Sequence, residues 1–258
     1  MIVDYHMHLR DPEERIEHAV EAVERFVETA AARGVDEIGL VEHVYYFRQT
    51  LPVWTLEYQK ERCAYDLEGY VDVVLEAKRQ GMPVKLGLEV DYVGDRQDEI
   101  ASILEPYPWD FLLGSVHWVD GLAIDQEPGL WAVASVEEVW QRYFAALAQL
   151  AASGHVDVLA HPDLAKIFGR RPERIHYPSL AGVALEISTN GLYKPVGELY
   201  PDVGFLERSG LPITLASDAH VPQNVGRDLD RAVELARAAG YDTVTVFDRR
   251  QARQEPLG

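Results

Sequence analysis

Residues 2–43 read IVDYHMHLRDPEERIEHAVEAVERFVETAAARGVDEIGLVEH, a short apolar run, a long amphipathic stretch and a second apolar run. In the middle stretch Ile16, Val20, Val23 and Val27 recur at three-and-four spacing before Gly34, which predicts one helix opening at Asp11-Pro12. Strand, helix and strand in that order imply parallel strands. The alternation continues through VKLGLEVDY (84–92), FLLGSVHWV (111–119), VDVLAHP (156–162), ALEISTN (184–190), PITLASDAH (212–220) and TVTVF (243–247). Helical patterns fall near 66–80, 96–104, 135–153 and 228–239, the third with Ser135 and Glu138 at capping-box spacing. Seven or eight such units in 258 residues predict a closed α/β barrel formed by residues 1–258 as one domain, with a doubly wound open sheet as the alternative.

Composition narrows the function classes. A formal net charge of -19, from 24 Lys plus Arg against 43 Asp plus Glu, speaks against a nucleic-acid partner, which calls for a basic stripe. A small phosphate ester remains compatible if bound cations invert the local field. No run reaches the ~18–20 apolar residues of a membrane span, and MIVDYHMH lacks the pattern of a secretion signal, so a cytoplasmic protein is expected. The single cysteine, Cys63, cannot form an internal disulfide and reads as structural.

The chemistry-bearing residues gather at the C-terminal ends of the runs. His6 and His8 are two apart, so a strand aims both imidazoles the same way. Glu42 and His43 end the second run, Glu89 and His117 interrupt the next two, and His161 with Asp163, then Asp218 with His220, end later ones. Barrel enzymes carry their chemistry at this end. Six of nine histidines fall there, and His18, His155 and His176 do not. Imidazoles with Glu89 and Asp218 suit Zn, Fe or Mn better than Ca or Mg, and their number exceeds one tetrahedral ion. Two or three metals bridged by a carboxylate are therefore expected. A Ser-His-Asp hydrolase is disfavoured by the absence of a G-x-S-x-G elbow.

DYHMH, EH (42–43), GLE (87–89), SVH (115–117), AHPD (160–163) and SDAH (217–220) occur in an order that resembles the PHP superfamily, the polymerase and histidinol phosphatase group. The segment LEISTNGLYKPVGELYP (185–201) further resembles its histidinol-phosphate phosphatase branch. The resemblance implies a distorted (β/α)7 TIM-like barrel with a trinuclear centre. It implies that His6, His8, Glu89 and Asp218 hold one metal, that Glu89 bridges to a second on His117 and His161, and that His43 and His220 hold a third. The ninth ligand departs from the family pattern, because HLRDPEER follows the H-x-H motif. Asp11, Glu14 or His18 must serve, and Asp11 is favoured because it lies in the turn before Pro12. A second departure is Tyr193, which stands before Lys194 where many branch members carry arginine.

The expected activity is phosphomonoester hydrolysis, most specifically of L-histidinol phosphate in histidine biosynthesis, by a metal-activated hydroxide. Arg170, Arg171 and Lys194 are the candidate phosphate clamps. Asp163, His220 or a bound water would protonate the leaving alkoxide. In the long loop at 45–66, Glu57, Glu61 or Asp66 would meet the substrate ammonium. Other readings are a PHP phosphoesterase for a nucleotide or sugar phosphate, an amidohydrolase, which would want a strand-end lysine not found here, and a metal-binding barrel without catalysis.

Overall fold

The computed structural model describes residues 1–11 and 13–258. In chain order the elements are β1 (Val3–Met7), α1 (Val20–Ala32), β2 (Glu37–Leu40), α2 (Glu57–Arg62), α3 (Leu67–Arg79), β3 (Val84–Leu86), β4 (Glu89–Asp91) and α4 (Gln97–Leu104). There follow β5 (Leu113–Ser115), β6 (Trp118–Val119), β7 (Leu122–Ala123), α5 (Val136–Ala152), β8 (Val158–Leu159), β9 (Ala184–Ser188), α6 (Val203–Ser209), β10 (Ile213–Ala216), α7 (Leu229–Ala238), β11 (Thr243–Asp248) and β12 (Gln251–Pro256). None of the helices is long and apolar enough to cross a membrane among the described residues.

Two parallel sheets, β1-β2-β3 and β10-β9-β8-β5-β4, together supply the strand positions of the barrel. They meet where β3 runs on into β4 through Gly87, and where single parallel bridges join Met7 to Ala219 and His43 to Glu89. The ring is distorted at those two seams, where bridges replace continuous ladders. Sterics explain one break: a Cβ on Gly87 would lie 2.7 Å from Val41 and 2.8 Å from the Phe111 ring, and one on Gly39 2.7 Å from the same ring. Both glycines make room for Phe111, which stacks on Tyr5 and Phe247 (centroids 5.0 and 5.7 Å) at the lower end.

Two expectations are corrected. TVTVF is not a further parallel strand, because β11 pairs antiparallel with β12 and sends Phe247 under the barrel. The crossover helix begins at Val20, leaving Ile16 53% exposed; the expected start at Pro12 lies outside the described residues. The reason is local: the ring of His18 turns inward to Glu42 (2.9 Å), and the helix forms only after that contact. The capping box on α5 is present in full, and Asp66 and Asp202 cap α3 and α6.

Candidate metal centre

At the C-terminal ends of the strands, side chains from β1, β2, β4, β5, β8 and β10 and the segments that follow them converge on the carboxylate of Glu89, which is fully buried. Its Oε2 lies 2.7 Å from His43 Nδ1 and 3.5 Å from the Nε2 atoms of both His6 and His8. Its Oε1 lies 3.5 Å from His161 Nε2 and 3.6 Å from His117 Nε2. Each oxygen thus faces a different set of imidazoles, and neither accepts a hydrogen bond. Asp218 Oδ1 faces His220, His6 and His8 at 3.3, 3.6 and 3.8 Å.

The donor set fits divalent transition metals. Four groupings, His6/Glu89/His161, His6/His8/Asp218, His8/His43/Glu89 and His43/Asp91/His117, each bring candidate ligand atoms within 4.8 Å of one another among the described residues. Imidazole nitrogens with carboxylate oxygens at the same focus suit Zn, Fe or Mn. The orphaned oxygens of Glu89 point the same way, since a buried carboxylate without hydrogen-bond donors is costly unless a cation meets it. His161 and Asp218 adopt φ of 28° and 50°, left-handed backbone that costs non-glycine residues roughly 1–3 kcal/mol and concentrates at functional sites.

The electrostatics without metal reflect this crowding. Burial pushes the Glu89 carboxyl up, but His43, His6 and His117 outweigh it and hold it well below the usual carboxylate range. Burial depresses His43, yet Glu89 and Asp91 lift it to about 10; His117 is lifted to about 9 against burial by Asp91 and Glu89. His8 is driven down to about 3 by burial and by its neighbours His220 and His43.

Two acids that the sequence reading passed over hold candidate ligand rings from behind. Glu186 Oε2 meets His6 Nδ1 at 2.8 Å, while its Oε1 accepts the His161 amide at 3.1 Å. Asp91 Oδ1 meets His117 Nδ1 at 2.7 Å. Such partners fix ring orientation and leave the other nitrogen aimed at the focus. Asp91 is two residues after Glu89 on one strand face, so alternation could have flagged it; Glu186 interrupts an apolar run as visibly as Glu89 does. Asn190 was also missed: it donates to Asp218 Oδ2 (2.5 Å) and accepts from Arg227 (2.7 Å).

A cavity of about 280 Å³ opens onto the cluster, lined by Asp11, His43, Glu89, His117, His161, Asp218 and His220 together with Tyr45, Tyr46, Tyr58, Trp118, Asp125, Asn190, Lys194 and Tyr200. Asp11 is exposed at this wall, its Oδ1 accepting the Glu13 amide at 2.8 Å, and it enters none of the four groupings. His18 lies behind the site against Glu42, outside the cavity lining and the four groupings, and Glu14 stays exposed. His220 is half exposed, its ring stacked 4.4 Å from His8.

Other candidates are placed elsewhere. Asp163 is buried, its Oδ2 facing the Lys166 ammonium (2.8 Å) and the Asp202 amide (2.9 Å), and it is not among the residues lining the cavity. Arg170 pairs with Glu127 and Arg171 with Glu198, and neither lines the cavity; Lys194 does, with no ion pair among the described residues. Glu57 pairs with Lys60 (2.9 Å), Glu61 is exposed, and Asp66 caps α3, so the loop contributes aromatic wall and no carboxylate. Asp125, from the segment after β7, takes that place, with its Oδ1 buried and unpartnered. Burial pushes the Cys63 thiol up to about 11, which fits a structural residue.

Comparison with known proteins agrees with this geometry. The family model of the PHP domain matches residues 4–193. A probable histidinol-phosphatase of Deinococcus radiodurans is 28% identical over 90% of this chain and 93% of its own length. The histidinol-phosphatase of Lactococcus lactis is 24% identical over 95% and 94% of the two chains. The crystal structure of histidinol phosphate phosphatase from Lactococcus lactis, complexed with Zn, L-histidinol and phosphate, superposes with a TM-score of 0.71 at 21% identity, covering 98% of each chain. The motif order, the strand-end cluster and a family match over most of its length agree, and this chain belongs to the PHP domain family.

Proposed function

We propose that this protein is a metal-dependent phosphomonoesterase that hydrolyses L-histidinol phosphate to L-histidinol and phosphate, with residues 1–258 acting as one domain. The observation that carries the reading is the two-sided exposure of Glu89, with one oxygen toward His6, His8 and His43 and the other toward His117 and His161. That is the arrangement a bridging carboxylate needs. Two or three divalent ions would be held by His6, His8, His43, Glu89, His117, His161, Asp218 and His220, with Asp11 closing the set if its turn bends inward. Such ions, when bound, supply Lewis acidity toward phosphate oxygens and lower the pKa of a water nucleophile.

The chain's own residues supply the rest. Lys194 at the cavity wall meets a phosphate oxygen as a point charge. His220, the most exposed of the candidate ligands, is placed to move the proton to the leaving alkoxide. The substrate ammonium finds the unpartnered Asp125, and its imidazole finds the wall of Tyr45, Tyr46, Tyr58 and Trp118. The relatives named histidinol-phosphatases, matched over nearly their whole length, support this substrate over other esters. A biosynthetic role of this kind fits a cytoplasmic protein. The test is phosphate release from L-histidinol phosphate against a panel of other phosphomonoesters, with Zn, Fe and Mn counted in the same sample. Selective turnover with two or three metals per chain supports the reading; metal without turnover of any ester would leave a non-catalytic barrel.

A further inference from the structure

Glu42 is fully buried directly behind the cluster, and the function proposed above does not use it. Its Oε1 gathers three donors: the Leu9 and Arg10 amides, each at 3.0 Å, and His18 Nε2 at 2.9 Å. Its Oε2 has no hydrogen-bond partner, and neither does His8 Nδ1; these two buried orphans face each other at 3.6 Å. His18 is caged edge-on by Tyr65 and Tyr70 (centroids 4.8 and 5.1 Å), and the Tyr65 hydroxyl donates to the Asp11 carbonyl at 2.6 Å. One acid therefore meets both the ring of His8 and the turn that brings Asp11 to the cavity wall.

We propose that Glu42, held by His18, is a positioning residue of this centre, orienting His8 through Nδ1 and fixing the Leu9–Asp11 turn against the cavity. The proposal rests on the reading of the cluster as a metal centre. A carboxylate serves both tasks because it only accepts: one oxygen takes the backbone amides, and the other faces the ring nitrogen opposite the metal-directed Nε2. His6 and His117 are backed at hydrogen-bond distance by Glu186 and Asp91, and Glu42 takes the corresponding place behind His8 at 3.6 Å. What distinguishes Glu42 is its second attachment, to a turn on which no regular element imposes a shape.

Glu42→Gln separates the two tasks. Its carbonyl oxygen can keep the amides of Leu9 and Arg10, while its NH2 is set against the protonated Nδ1 of His8, a donor facing a donor. The expected result is a folded protein in which one equivalent of Zn2+ binds about 10–100-fold more weakly than in the wild type, the size typical for the loss of such a partner. Added Zn2+ should restore turnover. In the metal-free protein, 15N-detected imidazole spectra should show the His8 tautomer shifted in Glu42→Gln and unshifted in a surface control. His18→Asn, which leaves Glu42 in place, should weaken the same equivalent less and serves if Glu42→Gln does not fold. Unchanged Zn2+ affinities and an unchanged His8 tautomer would overturn the proposal. Wild-type protein that takes up no divalent ion would overturn the metal reading beneath it, an outcome visible before any variant is made.

Discussion

The two ends of the barrel engage their acids in opposite ways. At the lower end the exposed Asp36, the buried Asp110 and the half-buried Asp157 stand just before β2, β5 and β8, and each accepts an amide in or next to another strand: Ile2 (2.7 Å), Leu86 (2.8 Å) and Leu112 (2.8 Å). Cations complete two of them, Lys78 on Asp110 at 2.5 Å and Arg250 on Asp157 at 2.9 Å. At the upper end Glu89 has neither amide nor lysine, only imidazoles and two orphaned oxygens. A buried acid that finds amide and lysine donors within the chain is a stitch; one surrounded by imidazoles alone has the surroundings that a metal cation fits. The contrast separates structure from site more sharply than burial, since Glu89 and Asp110 are both fully buried.

Exchanging an acid for its amide at each end should break the two regions differently. Glu89→Gln is expected to lower turnover by about a thousandfold or more, several kcal/mol of transition-state stabilisation, and to reduce bound metal in elemental analysis. Full turnover with metal retained would remove Glu89 from the centre. Asp110→Asn, in contrast, is expected to cost about 3 kcal/mol in urea unfolding, because it strands the Lys78 ammonium, while metal stoichiometry stays that of the wild type. If it lost metal first, the ends would not be independent.

The mouth should also carry its own pH response. In the metal-free protein the raised His43 and His117 contribute stability that is fully present below the ordinary histidine pKa near 6.5, and that is lost as pH rises through about 9 to 10. Metal must displace those same protons, so Zn2+ affinity should climb about tenfold per pH unit for each proton released, levelling off above about 10. Calorimetric titration in buffers of different ionisation enthalpy reads the protons directly, and zero release at pH 7 would refute the protonated cluster. The smallest effect belongs to the rim: Lys194→Ala should raise KM for the phosphate ester about five- to tenfold with kcat little changed, the loss of one charge-assisted hydrogen bond. An unchanged KM would leave the clamp unassigned.

Much of this was legible in the one-dimensional pattern, for particular reasons. A parallel strand feeding a βα loop places its last residues at one end of the barrel, so His6, His8, His43, Glu89, His117, His161, Asp218 and His220 could be gathered from their positions in apolar runs alone. Cations on loops were not legible: Arg170 and Arg171 follow a strand as Lys194 does, yet each found an acid across the surface. An acid facing the cavity was sought in residues 45–66, but Asp125 lines the cavity and no carboxylate of that loop does, because loop reach depends on how α2 and the segment after β7 pack.

The sequence by itself determined the alternation of strand and helix and the gathering of the candidate ligands at the strand ends, because each follows from local periodicity and chain direction. Tertiary structure alone decided that β11 closes the floor, that Asp163 joins Lys166, and that Glu42, Glu186 and Asp91 stand behind three imidazoles. Those partners come from other strands, and which groups meet across a barrel is set by register and packing, which no single segment encodes.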